Sequence, residues 1–429
     1  MSSKQLIHRK VRHTENLCAL FWDESLLWGL MAWRALIEAG LPFDLLRSED
    51  IRAGTLSRYA MIFVPGGWAS AKLRALGEKG QAEIRSFVEN GGSYLGICGG
   101  AGLATESGIG LMPIRRKATQ ERVPSFSGPV RLSLVDHVIW ENVESSVFSA
   151  WWPSQFQELH HDDVHVLARY DEAQADAFSA DIKVVNGRAA GWPELEERYG
   201  IYLDPERLRG EPAVLAGRFG KGQVILSLIH FDTPWDFNGR VVLGNLWNRL
   251  TSAPCREEVV SPLSSVTMCP VGVTPEFTEI MADIQASVSA LITAGMNHSL
   301  WYWRNPLLLQ WRRGVRGLEC STLAVMVAEI AAYFKRGKTE AGTPGSSNIL
   351  EDLRVIREGL IPFCEKAERL LVREKDYMMT SPLSPLDCPD EEISSLRQEL
   401  FGPAMSHGGQ FKSLIDAVDR LLYRLLKDS

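Results

Sequence analysis

The stretch Ser93-Tyr94-Leu95-Gly96-Ile97-Cys98-Gly99-Gly100-Ala101-Gly102 constrains the fold of this chain more than any other. A short apolar run ends in one cysteine, with Gly96 before it and Gly99 and Gly100 after it. Glycine lacks a Cβ and takes backbone angles that other residues avoid. A strand that turns at once into a helix needs that freedom, and the turn residue is left exposed at the tip. The arrangement reads as a nucleophile elbow with Cys98 in the place where other elbows carry serine. The N–H groups at the start of the following helix are expected to point at Cys98 and favour its thiolate.

The residues around this elbow alternate between strand-like and helix-like patterns. Residues 16–22 read as a buried strand, and 25–38 carry apolar residues at helical spacing, with Gly40 closing the helix. Short strands are expected at 43–46 and 59–64, the second ended by Pro65-Gly66-Gly67. Residues 71–90 read as a helix closed by Gly91-Gly92, and 94–97 as the strand that delivers Cys98. Strand and helix alternating at this interval predict βαβ units, hence a flavodoxin-like, doubly wound, mostly parallel sheet covered on both faces. From about residue 112 the pattern changes. Residues 130–135 and 164–168 predict an added antiparallel portion, and 212–219 with 223–229 predict a hairpin through Gly220-Lys221-Gly222. A helix over 240–250 closes the unit.

The predicted organisation is a flexible N-terminus over 1–15, an α/β domain over 16–250, a linker over 251–275 and an all-α domain over 276–429. The 429 residues suffice for at least two domains. Apolar residues make up 45% and charged residues 23%, a soluble globular balance. The net charge of −7 argues against a nucleic-acid partner. No run reaches the roughly 18 apolar residues of a membrane span, and 17–22 is too short for a signal-peptide core, so the reading is cytoplasmic. The seven cysteines form no Cys-x-x-Cys and no zinc-type pairing. His160-His161-Asp162-Asp163 and His165 form the densest cluster of metal-ligating types. Adjacent strand residues face opposite ways, so a solvated loop is the reading and no metal or cofactor is expected. Trp301-Tyr302-Trp303-Arg304 and Trp311-Arg312-Arg313 with Arg316 form an aromatic and basic patch, read as helix packing. A protein partner or self-association through the helical domain stays open.

Open α/β sheets hold ligands at the carboxyl ends of their strands. There the Pro65-Gly66-Gly67 turn, the Cys98 elbow and His230-Phe231-Asp232 are expected to meet. A cysteine nucleophile needs a base within reach and a group to orient that base. His230 ends an apolar strand and Asp232 lies two residues on. The N–H of Gly99 and one from Gly66-Gly67 are candidate oxyanion donors.

Pro-Gly-Gly, then Gly-Ile-Cys-Gly-Gly after an apolar strand, then Gly-Lys-Gly-Gln-Val-Ile-Leu-Ser leading to His-x-Asp, resembles the class I glutamine amidotransferase-like superfamily. The nearest branch is the one found at the N-terminus of biotin–protein ligases, on Tyr94-Leu95-Gly96-Ile97-Cys98, Ala168-Arg169-Tyr170, Pro212-Ala213-Val214 and Gly220-Lys221-Gly222. The resemblance spans about residues 14–250, and no biotin-ligase catalytic domain follows. It implies Cys98 as nucleophile, His230 as general base and Asp232 as orienting acid. Glutaminases of this kind usually end in His-x-Glu and carry Gln four residues after the cysteine. Here the acid is Asp232, and Gly102 stands in the Gln position. The expected function is a Cys-dependent hydrolase or acyl-transfer protein acting on an unidentified small-molecule or acyl substrate, not a standard glutaminase. Two alternatives stand beside it. One is a catalytically inactive binding module. The other is a redox cysteine protein of the DJ-1/PfpI type, in which Asp23 or Glu24 would contact the cysteine.

Overall fold

The structure, a computed structural model, describes residues 18–157, 162–251, 274–336, 346–386, 388–403 and 407–427. The chain begins with β1 (Cys18–Phe21), α1 (Leu27–Glu38), β2 (Phe43–Leu46), α2 (Ser48–Arg52), β3 (Met61–Val64), α3 (Ala69–Glu89), β4 (Ser93–Ile97) and α4 (Gly99–Leu103). An irregular portion then carries β5 (Phe126–Leu134), β6 (Val147–Trp151), β7 (Val164–Ala173), β8 (Phe178–Ser179), β9 (Ile182–Lys183), α5 (Val184–Ala190) and α6 (Trp192–Tyr199). The hairpin β10 (Pro212–Phe219) and β11 (Gly222–Ser227) leads into α7 (Phe237–Thr251).

These strands form one sheet in the order β2-β1-β3-β4-β11-β10-β7-β5-β8-β9, with β6 on β5. The run from β2 to β11 is parallel, and the extension from β10 onward is antiparallel. The composition of each strand follows from this placement. β1 (Cys-Ala-Leu-Phe) and β3 (Met-Ile-Phe-Val) are buried throughout, because helices cover both faces of a parallel sheet. Over Val130–Ser133, β5 alternates buried and exposed residues, as a sheet with one wet face requires.

The remainder is mostly helical: α8 (Pro275–Asn297), α9 (Leu318–Arg336), α10 (Ser346–Met378), α11 (Glu391–Phe401) and α12 (Gly409–Lys427). One departure from the all-α expectation is a two-stranded hairpin, β12 (Trp301–Asn305) with β13 (Leu308–Trp311). It holds most of the aromatic and basic patch. Arg304 leaves the hairpin for the α/β part, donating to the Ser127 hydroxyl at 2.8 Å and lying over the rings of Trp151 and Phe178. The patch therefore packs the two parts of the chain together.

α12 makes the second junction. Its apolar stripe, Phe411, Leu414, Ile415, Val418 and Leu422, faces the other helices of the bundle at i, i+3, i+4, i+7 spacing. Its polar side meets the carboxyl ends of β1 and β2. Asp419 accepts from the Trp22 indole at 2.8 Å and from Arg47 at 3.0 Å, and Lys412 reaches Glu24 at 3.2 Å. Buried apolar residues of both parts form one continuous cluster. Most of the expected 251–275 linker and the N-terminal 1–15 lie outside the described residues.

Candidate active site

β4 lies between β3 and β11, with Gly96 opposite Val64 and Ile97 opposite Ser227. The Cys98 N–H extends this ladder by one bond, to the Ser227 carbonyl at 2.7 Å. The chain then turns sharply, with Cys98 at φ 50°, ψ −102° and α4 starting at the next residue. The left-handed angle thus falls on Cys98 itself, not on the glycines around it. Such a conformation costs about 1–3 kcal/mol and persists only where its surroundings enforce it. The glycines serve close approach instead. A Cβ on Gly99 would overlap the Gly67 carbonyl, and one on Gly100 would overlap the Val64 carbonyl. Among the described cysteines Cys98 alone reaches solvent. Its Sγ lies 4.0 Å from the Trp151 carbonyl oxygen.

His230 follows β11, and its N–H donates to the Ser149 carbonyl at 2.8 Å. The imidazole packs on Trp28 with ring centroids 5.0 Å apart. Its Nδ1 lies 2.9 Å from Asp232 Oδ1, and both side chains are fully buried. Burial alone would push this imidazole toward its neutral form. The Asp232 carboxylate beside it, helped by the Cys98 side chain, prevails and raises its pKa to about 10. The second ring nitrogen, Nε2, has no hydrogen-bond partner among the described residues, while the Cys98 thiol is close enough to act on the ring.

The Gly66-Gly67 turn follows β3 and closes the third side. A Cβ on Gly66 would stand 3.1 Å from His230 Cε1 and 3.0 Å from the Trp28 ring. Gly67 has φ +108°, and its backbone sits against Gly99 and the Glu24 carbonyl. Gly99 is the first residue of α4, so its N–H has no partner within the helix. Behind the turn, Lys72 is fully buried, reaching the Asp23 carbonyl at 3.3 Å and the Ser25 hydroxyl. Burial lowers its pKa to about 7 against the pull of Glu24 and Asp23. The three expected elements therefore meet: Cys98, His230 with Asp232, and the backbone of Gly66, Gly67 and Gly99.

The carboxylates of Asp23 and Glu24 are engaged away from this centre. Asp23 accepts from the Ser48 N–H at 2.7 Å, and Glu24 pairs with Lys412. Neither makes the cysteine contact that the redox reading requires.

Some neighbours of the site were not expected from the sequence. Trp28, Trp152 and Trp311 form an aromatic wall leading away from His230, with Trp152 and Trp311 stacked at 5.0 Å. The adjacent Trp151-Trp152-Pro153 was the available signal. Trp311 belongs to β13, so the helical part contributes directly to this wall. One helical turn beyond Cys98, the Gly102 N–H donates to the Cys98 carbonyl at 3.0 Å. The space a Gly102 side chain would enter holds the Arg116 guanidinium, whose Nη1 lies 2.7 Å from an ideal Cβ. His160 and His161 lie outside the described residues, and no metal-binding group of His, Cys, Asp or Glu occurs among the described ones. No described helix is long and apolar enough to cross a membrane.

Residues 55–108, which run from before β3 to just beyond the elbow helix, match the family model described as biotin-protein ligase, N terminal. The α/β part is class I glutamine amidotransferase-like. Solved structures similar to this amidotransferase-like part include a GMP synthase component from Thermoplasma acidophilum, at 16% identity over 56% of this chain and 96% of that one, TM-score 0.37. A glutamine amidotransferase from Thermotoga maritima aligns at 13% identity over 55% of this chain and 99% of that one, TM-score 0.34. A β-galactosidase from Bacillus circulans aligns at 15% over 55% of this chain and 31% of that one, TM-score 0.33. No curated protein matches the sequence.

Proposed function

We propose that the protein is a Cys-dependent hydrolase or acyl-transfer catalyst acting on an amide or ester. The observation that carries this is the fully buried His230–Asp232 pair at 2.9 Å, whose free Nε2 adjoins the one solvent-reaching described cysteine. In this reading Cys98 attacks the carbonyl carbon. His230 takes the thiol proton, and the Asp232 carboxylate stabilises the imidazolium that results. The N–H groups of Gly67 and Gly99 stabilise the oxyanion, with Gly66 shaping the turn. The imidazolium returns its proton to the leaving group, and a water or an acceptor nucleophile then releases the acyl group from Cys98. Residues 16–250 would form the catalytic unit, with 276–429 covering its mouth through Trp311 and α12. Glutamine is not the expected substrate, because a guanidinium fills the place of the Gln side chain that glutamine users carry.

Incubation with p-nitrophenyl acetate should leave one acetyl group on the Cys98 peptide, read by mass spectrometry. His230→Gln should slow this at least tenfold, the low end of what a positioned base contributes being roughly 100-fold. Equal acetylation in both proteins would sink the proposal. Ammonia release from glutamine by the wild-type protein would overturn the substrate argument.

A further inference from the structure

We propose that the site recognises a carboxylate borne by the substrate beside its reacting carbonyl, and that Arg116 and Arg122 hold it. The inference deepens the nucleophile reading above and rests on it. Arg116 fills the space over Gly102, one helical turn from Cys98, and bridges to Phe156 through its backbone. Arg122 is fixed by its own contact, donating from Nη1 to the Pro153 carbonyl at 3.0 Å, while its Nε is buried without a partner. The two cations act unfavourably on one another, and the group of opposite charge that acts on both is the Cys98 sulfur. Neither is paired with a carboxylate among the described residues.

That is an unusual way to leave two arginines. Elsewhere in this protein guanidinium groups find acids: Arg34 meets Glu329, Arg207 meets Glu196 and Arg397 meets Glu374. Two cations side by side, one of them partly desolvated, cost energy that a bound anion would recover. A guanidinium presents its donors in a planar fork that matches a carboxylate. The placement also fits the chemistry. A neutral Gln side chain suits an uncharged amide, whereas two guanidinium groups beside the same cysteine suit a negative charge close to the carbonyl under attack.

The test compares two alkylating agents of nearly equal size at Cys98, anionic iodoacetate and neutral iodoacetamide, followed by peptide mass spectrometry. Both rates scale with the thiolate fraction, so their ratio cancels any change in that fraction and isolates recognition of the carboxylate. The wild-type ratio should exceed that of glutathione. It should fall about tenfold in the Arg116→Gln, Arg122→Gln double variant, the size of one charge contact at the mouth of a site. Arg116→Lys, which keeps the charge, should retain most of the preference. A ratio that is equal in wild type and double variant would overturn the inference. Failure of the underlying nucleophile reading looks different: His230→Gln would then leave the iodoacetamide rate unchanged, while the charge preference stays measurable on a slow thiol.

Discussion

The His230–Asp232 pair yields the sharpest prediction. The imidazole is fully buried, and its pKa is raised from 6.5 to about 10 although burial opposes the charge. At about 1.36 kcal/mol for each pKa unit, the protonated ring is favoured by something of order 5 kcal/mol. In Asp232→Asn the carboxylate is lost while the burial remains, so His230 should lose its proton below pH 6.5. The effect on stability has a definite sign. A pKa raised in the folded state means the folded protein holds the proton more tightly. The pair's contribution is then fully present below pH 6.5 and fades as pH rises toward 10. The destabilisation caused by Asp232→Asn should accordingly be largest at pH 6 and should shrink toward pH 10. Nitrogen-15 NMR of histidine-labelled protein reads the ring directly, with the His230 signals assigned by their absence in His230→Gln. The wild-type ring should stay protonated from pH 6 to 9, and the Asp232→Asn ring should be neutral over the same interval. A wild-type His230 that titrates near 6.5, or one indifferent to Asp232→Asn, would refute the argument.

Two further outcomes follow from residues around this pair. Cys98 holds φ 50°, so Cys98→Gly should be more stable toward urea than Cys98→Ala by about 1 kcal/mol, since both lose the thiol and only alanine keeps the strain; equal stability would show that the turn carries no strain. Asp419 is buried and its pKa is raised to about 7, with Arg47 and the Trp22 indole opposing the rise. Folding therefore binds a proton there, stability should decline as pH climbs from the usual carboxylate range to 7, and Asp419→Asn should flatten that part of the melting-temperature profile; an unchanged slope would refute the assignment.

The parallel half of the sheet was legible because its strands are buried on both faces and read as short continuous apolar runs ended by Gly or Pro. His230 and Asp232 were legible for a related reason: they lie two residues apart, so one segment positions both. Arg116 and Arg122 were not, since they sit in an irregular stretch without periodicity and reach Cys98 only because β5, β6 and β7 fold that stretch back over α4. The hairpin at Trp301–Trp311 escaped because its short aromatic run carries neither a helical nor an alternating period, and α11 because it follows a Pro-rich loop. The glycines of the elbow make the limit plain. Their number beside Cys98 suggested conformational freedom, yet the left-handed angle belongs to the cysteine, and Gly99 and Gly100 are small because the carbonyls of Gly67 and Val64 press against them. Those carbonyls come from another strand, some thirty residues earlier. A single sequence shows that a turn must be tight; which residue bears the strain is decided by the neighbouring strand's end, and that is settled only once the sheet has formed.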